Sequence, residues 1–311
     1  MRLWVAALGQ RIVPDGGDFS LVLSCTAVTM RSMKAIPSVQ VSVVLFHTPT
    51  ETLLKTLNSL FCAAQYALEQ EVIENLHLAI VDNSMDEGYF AQVEPCCQAL
   101  DLASPRITLS AQQSHANQGY GAGHNLPNLK SSSDIYLILN PDVEMTENAL
   151  LESVAVLTSE RSAVAVAPFA TGGDGGREYL CKRYPTVWVL LLRAFAPAWV
   201  QARFASQLTR YDMSDVCTGD HQVDVELASG CYMFVRGDAL RQSGGFDDRY
   251  FMYFEDFDLS MRLRELGNIV FAPEVRVIHH GGYAARKGLR HVFYFIRSGI
   301  RFFSQHGWRW I

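Results

Sequence analysis

Short continuous apolar runs alternate with stretches of helical spacing through the first half of this chain. Val39 to Phe46 (VQVSVVLF) reads as a buried strand, and Glu51 to Leu68 (ETLLKTLNSLFCAAQYAL) repeats its apolar residues at helical spacing. The pattern then predicts a strand at Leu76 to Asp82, a helix around Tyr89 to Leu100, a short strand at Arg106 to Leu109 and, after a glycine-rich loop, a helix near Ala122 to Leu129. The fourth strand, Ile135 to Leu139, breaks abruptly at Asn140, Pro141 and Asp142. A helix is expected from Thr146, its predicted N-cap, and another apolar strand spans Ala163 to Phe169. Such alternation implies right-handed crossovers, a parallel sheet and helices on both faces.

After Phe169 the regular alternation stops. Thr171 to Glu178 (TGGDGGRE) is a flexible loop by composition. Tyr184 to Val200 is apolar but interrupted by Arg193 and Pro197, too broken for a transmembrane helix. It is predicted to be a core helix packed on the sheet, the alternatives being a membrane-interface segment or a cover over an acceptor site. A strand at Cys231 to Val235 precedes a short helix, a Gly244–Gly245–Phe246 turn, and an aromatic run from Tyr250 to Phe254 that leads into a helix. Val292 to Ile311 places apolar and basic residues at helical spacing, as a helix meeting the inner face of a membrane or packing on the domain would.

With 311 residues, 49% hydrophobic and 19% charged, the chain can bury one large core or two modest ones, as a soluble globular enzyme does. A net charge of −6 gives no basic footprint for nucleic acid and disfavours attachment of the whole protein to anionic lipid by charge, leaving local basic clusters to be judged separately. The seven cysteines are odd in number and include no CxxC pair, so reduced thiols are expected rather than a zinc ribbon or a disulfide framework. Residues 1–36 begin like a signal peptide, but Arg11, Pro14 and Asp15 interrupt the apolar run; a poorly ordered extension is expected there.

Three places concentrate candidate chemistry. Pro141 stiffens the turn after the fourth strand and aims Asp142 away from the sheet, where a hard cation could sit; a helix-opening turn is the plain alternative. Asp82 ends the second strand, where a carboxylate can hold a ribose hydroxyl or a base N–H, or simply close an Asx turn through Asn83 and Ser84. Gly119, Gly121 and Gly123 permit close backbone approach, but they do not lie in the first strand-to-helix turn, which reads HTPTE; a dinucleotide-dependent oxidoreductase is therefore disfavoured. His115 and His124 read as polar loop residues. Glu255, Asp256 and Asp258 open a helix behind an aromatic wall, a setting that can tune a carboxylate toward general-base work beyond simple capping; Asp256 is the sharper candidate.

In order along the chain, VSVVLFHTP, IVDNSMDEG, HANQGYGAGHN, LILNPDV and SGCYMFVRG with GGFDDRYFMYFEDFDLSMRL resemble the blocks of family 2 inverting glycosyltransferases, nearest the bacterial rhamnosyltransferase-like branch that builds cell-surface polysaccharide. The resemblance covers about Val39 to His280. It implies a GT-A fold: α/β, with a mostly parallel central sheet flanked by helices, a Rossmann-like nucleotide half and an acceptor-side extension. The corresponding divisions are a GT-A domain at 37–285, with a nucleotide-sugar half at 37–160 and an acceptor and catalytic half at 161–285, then a C-terminal helical segment at 286–311.

The resemblance also assigns roles. Asp256 would be the base, with Glu255 its neighbour in the ED motif. Donor contacts would fall to Asp82, Asn83, Gly119, Gly123, Asn125, Asn140 and Arg262, and Asn140–Pro141–Asp142 occupies the DxD position. With Asn140 in place of the first acid, Asp142 is left as the principal carboxylate ligand of a Mg²⁺ or Mn²⁺ ion. RVIHHGGYAARKG resembles the late HxGG segment, making His279 a candidate further metal ligand with His280 as the rival. Where the family often shows a serine, Tyr283, Ala284 and Ala285 stand; Arg286, Lys287 and Arg290 could meet phosphates or form a solvated basic face. The implied activity is transfer of rhamnose from dTDP-rhamnose to a saccharide or lipid-linked saccharide acceptor, in the cytoplasm or at the cytoplasmic face of the inner membrane. The alternatives are a UDP-hexose donor or a non-catalytic nucleotide-binding member.

Overall fold

In the first half of the chain seven elements alternate: β1 (Ser38–Leu45), α1 (Thr50–Glu69), β2 (Asn75–Asp82), α2 (Glu87–Gln98), β3 (Ile107–Gln113), α3 (Tyr120–Asn128) and β4 (Ile135–Leu139). The computed structural model describes residues 36–98, 104–281 and 288–311, so the expected N-terminal extension lies almost wholly outside the described residues. β1 runs parallel to both β2 and β4, and β2 parallel to β3. The two faces of β1 explain its residues. Val39, Val41, Val43 and Leu45 bury against α1, while Ser42 and Val44 meet α3. At Gly123 of α3 a Cβ would come within 2.9 Å of Val44 and of the Asn83 side chain, so helix and sheet approach there only because the residue is glycine.

The second half is less regular: β5 (Val143–Met145), α4 (Ala149–Ser159), β6 (Ala163–Gly172), β7 (Arg177–Glu178), β8 (Cys181–Lys182), α5 (Val187–Phe195), α6 (Ala198–Arg203), α7 (Ala205–Tyr211), β9 (Val223–Val225), β10 (Leu227–Ala228), β11 (Tyr232–Arg236), α8 (Gly237–Ser243), α9 (Glu255–Arg264), β12 (Asn268–His279) and α10 (Leu289–His306). The main sheet follows the order β3-β2-β1-β4-β11-β6-β12-β5, with β7 beside β6 and β9 beside β12. β11 enters antiparallel between β4 and β6, so strands from both halves of the chain share one mostly parallel sheet with helices on its faces. This is the fold class expected. A third, aromatic core of Tyr184, Tyr250, Phe254, Phe302 and Phe303 ties α10 to the start of α9.

Three local expectations are corrected. Val143 to Met145 is a strand, and the helix begins at Ala149. Thr146 does not cap it: its hydroxyl lies against Asn148 and the Arg276 carbonyl, because β5 pairs antiparallel with β12. Thr171 to Glu178 is a tight hairpin rather than a flexible loop; Gly172 donates to the Gly176 carbonyl at 2.7 Å, and β7 returns along β6. Tyr184 to Val200 is not a core helix on the sheet. It breaks at Pro197 into α5 and α6, leaving Phe195 73% and Trp199 76% exposed.

Candidate active site

Asp142 follows the end of β4, and two features hold its turn. The Thr56 hydroxyl of α1 donates to the Pro141 carbonyl at 2.9 Å, and the Asn140 amide donates to the Cys231 carbonyl at 2.9 Å. The β5–β12 register pairs Val143 with His279, which sets His279 beside Asp142 although they lie far apart in sequence. Nε2 of His279 is 3.7 Å from Asp142 Oδ1, a buried carboxylate oxygen with no hydrogen-bond partner. Nδ1 of His279 contacts Glu178 Oε2 at 2.9 Å; a proton on Nδ1 leaves the Nε2 lone pair facing Asp142. His280 turns the other way, to Glu144 at 2.6 Å, while its backbone N–H donates to the Asp142 carbonyl at 2.8 Å. Of the two histidines, His279 is thus the one aimed at Asp142.

An orphaned carboxylate oxygen opposite an imidazole nitrogen, backed by a second carboxylate, fits a divalent cation. Among the described residues no group of three or more His, Cys, Asp or Glu converges as a metal cage. An ion here would complete its shell with ligand oxygens and water. Glu178 could not be found from sequence, because only the β6–β7 hairpin carries it to His279.

Asp256 lies in the first turn of α9. Gly230 N–H donates to its Oδ2 at 3.1 Å and Phe257 N–H to its Oδ1 at 2.9 Å. Burial pushes the Asp256 carboxyl up; those backbone donors and the Lys182 ammonium pull it back. Glu255 is driven up further, by burial first and then by the Asp256 charge, and its Oε2 has no hydrogen-bond partner. The entry to α9 is strained. Tyr253 and Phe254 both have positive φ, 69° and 63°, which non-glycine residues seldom adopt. Packing of Phe254 against Phe295 and Phe302, with centroids at 5.1 and 5.4 Å, holds that turn.

The run Phe251 to Phe254 divides two clefts. The first, 740 Å³, is lined by Val44, Phe46, Asn83, Gly119, Tyr120 and Arg290 among others, with Phe251 and Met252 on its wall. The second, 450 Å³, holds Glu255 and Asp256 with Lys182 and Arg193, and Tyr253 and Phe254 form its side of the wall. Tyr120 stands near both: its hydroxyl is 2.9 Å from Asn140 Oδ1 and 2.7 Å from the Gly230 carbonyl, and burial keeps that hydroxyl protonated. An aromatic residue beside the loop glycines was its only sequence signal.

The other predicted donor contacts divide. Asn83 and Gly119 line the first cleft, yet Asn83 also donates to the Gly119 carbonyl at 2.9 Å and accepts from Ser114 at 2.7 Å. Asp82 is fully buried and accepts from the Ser84 amide, the Ser84 hydroxyl and Gln113, the Asx-turn alternative. The tight approaches at Gly119 and Gly123 are to protein: a Cβ on Gly119 would meet the Phe251 carbonyl at 2.1 Å. Asn125 clamps the turn at Phe246 through both its amide nitrogen and its oxygen. Arg262 is not brought to either cleft. It pairs with fully buried Asp258 at 2.6 Å and donates to the Ser243 and Gly245 carbonyls. Arg286 and Lys287, like Tyr283 to Ala285, lie outside the described residues. No disulfide forms among the described cysteines.

No family model matches the chain. In sequence it is 29% identical over 153 residues to an N-acetylglucosaminyl-diphospho-decaprenol L-rhamnosyltransferase of Mycobacterium tuberculosis, covering 49% of this chain and 48% of that protein. The match thus spans about half of the mycobacterial relative. It is 26% identical over 199 residues to rhamnosyltransferase WbbL of Escherichia coli K12, covering 60% of this chain and 71% of that protein. In fold it is similar to GalNAc-T7 crystallised with UDP, GalNAc and Mn²⁺ (TM-score 0.58, 12% identity, 86% of this chain and 48% of the other). It is also similar to the mannosyltransferase PcManGT of Pyrobaculum calidifontis with GDP-Man and Mn²⁺ (TM-score 0.55, 14% identity, 87% of this chain and 64% of the other).

Proposed function

We propose, starting from a GT-A chain that is rhamnosyltransferase-like in sequence, that this protein is an inverting glycosyltransferase. It would move rhamnose from dTDP-rhamnose to a hydroxyl of a lipid-linked saccharide at the cytoplasmic face of the membrane, in cell-surface polysaccharide synthesis. The observation that carries this reading is Asp256: a carboxylate held by two backbone donors in a cleft of its own, across an aromatic wall from a second cleft.

The acceptor enters the Asp256 cleft, and Asp256 takes the proton from the attacking hydroxyl. The donor nucleotide occupies the larger cleft, against Asn83, Gly119 and Tyr120, with the Arg290 guanidinium available to its phosphates. Asp82 supports that cleft by fixing the turn at Ser84 rather than by touching the base directly. Asp142 and His279 would hold Mg²⁺ or Mn²⁺, Glu178 orienting the imidazole; when bound, the ion neutralises charge on the departing diphosphate. Burial raises Glu255 more than Asp256, whose backbone donors offset part of the shift, so Asp256 is the member of the pair that ionises first. Attack from the face opposite the leaving diphosphate inverts the anomeric centre.

The test is transfer from dTDP-rhamnose to a lipid-linked N-acetylglucosamine acceptor, with UDP-hexoses as competing donors. Asp256→Asn is expected to lower kcat by roughly 10²- to 10⁴-fold with donor affinity nearly unchanged. Product formation from a UDP-hexose alone would replace the donor in this reading. Absence of transfer with every nucleotide sugar would remove the reaction itself.

A further inference from the structure

The helices at the mouth of the Asp256 cleft are apolar where they should be polar. α5 buries Val189 and Leu192 on one side and exposes Trp188, Leu191 and Phe195 on the other, so apart from Arg193 it is apolar on both faces while covered on one only. α6 adds exposed Trp199. α10 exposes Val292, Ile296 and Ile300 as one stripe, with Phe293 beside it. The C-terminal residues join the two helices: Val187 and Trp188 donate to the Arg309 and Trp310 carbonyls at 2.8 and 3.1 Å, and the Trp308 and Trp310 rings stack at 5.3 Å. Between α5 and α10 runs an apolar groove of 470 Å³. It shares Leu190, Ala194, Tyr253, Phe254 and Phe295 with the Asp256 cleft.

Charge decides what covers this face. Residues 187–211 contain three arginines and 289–311 four, and neither segment contains an aspartate or glutamate, in a chain whose net charge is −6; Asp212, just after α7, pairs with Arg193 at 2.6 Å and leaves the other arginines to set the charge of the face. Arg203 and Arg297 are exposed, and Arg297 lies one turn beyond Phe293 on α10. Tryptophan at the boundary of an apolar face, with arginines in excess over acids around it, is the pattern of a helix pair lying in the interface of an anionic bilayer. No described helix is long and apolar enough to cross a membrane.

We propose that α5, α6, α10 and the C-terminal residues form a docking surface for an anionic membrane leaflet, laid in the plane of the headgroups. The surface stands on its own residues. Its further consequence, that the Asp256 cleft opens toward the leaflet so that a lipid-linked acceptor reaches it without leaving the bilayer, rests on the proposed transfer reaction.

The full chain is mixed with vesicles of equimolar phosphatidylcholine and phosphatidylglycerol, or of phosphatidylcholine alone, without any sugar substrate. Co-sedimentation with the anionic vesicles is expected, with a blue shift of tryptophan emission, since four of the five tryptophans lie on this surface. Phe195→Asp with Trp199→Asp, and separately Arg203→Glu with Arg297→Glu, are each expected to lower vesicle binding by about tenfold or more. Their melting temperatures should stay unchanged, because all four side chains are exposed. Absence of anionic vesicle binding, or equal binding by both double variants, overturns the docking surface. So does a dimer in analytical ultracentrifugation that Trp199→Asp dissociates, since the face would then be covered by a second copy. Loss of transfer to a detergent-dispersed acceptor would count instead against the proposed reaction, with vesicle binding unaffected.

Discussion

Glu255 and Asp256 sit side by side in the first turn of α9, yet only Asp256 is well furnished with backbone donors. A carboxyl whose pKa is raised in the native state keeps a proton that the unfolded chain releases, so Glu255 costs stability as pH rises above its ordinary value of 4.5. Glu255→Gln should therefore raise the melting temperature at pH 7 and lose that advantage near pH 4, as a pair of thermal melts will show. Transfer by this variant should fall no more than about tenfold, against the far larger loss at Asp256. The raised Asp256 carboxyl also predicts an acid limb in the kcat/KM profile above the 3.8 of an ordinary aspartate, activity falling as pH drops through it. Asp142→Ala and His279→Ala should each abolish a Mn²⁺-dependent rise in melting temperature with nucleotide present, whereas His280→Ala should leave most of it. At Arg262 the structure supports a structural role. Arg262→Ala strands the fully buried Asp258, with the His306 ring as its remaining side-chain contact at 2.8 Å, and should cost about 3 kcal/mol in urea unfolding with little change in donor affinity per folded molecule.

At the scale of elements, α10 supports the turn that carries the proposed base, Asp256. Phe302 and Phe303 pack on Phe254, His306 reaches Asp258, and the Tyr250 hydroxyl contacts Gln305 at 2.8 Å. These contacts hold the two left-handed residues that aim Asp256. Phe302→Ala should cost about 3–5 kcal/mol, as a fully buried aromatic does, and a melting curve will read it. The lost support at Tyr253–Phe254 should lower kcat beyond the folded fraction, which active-site titration separates from unfolding. β5 has the corresponding role at the proposed cation site, since its register with β12 brings His279 to Asp142.

Across the whole molecule one sheet unites both halves, because β11 lies between β4 and β6. Unfolding in urea should accordingly give coincident transitions by far-UV circular dichroism and by tryptophan emission, the latter reporting mainly the α5–α10 surface. The alternation of β1 through β4 was legible from Val39 onward because period and burial agree: a strand buried on both faces is mostly apolar, β1 admitting only Gln40 and Ser42 among its buried positions, and a helix on it repeats at helical spacing. The aromatic run before Glu255 and the break at Asn140–Pro141–Asp142 were legible for the same local reason. What local sequence cannot carry is contact between distant segments. The β5–β12 register chose His279 over His280, a hairpin of glycines brought in Glu178, and Arg262 went to a buried partner on its own helix. The open face of Tyr184 to Val200 was not legible, because an apolar stretch has the same composition whether one side of it is covered or both; which face stays open is settled only once every other surface has found its neighbour.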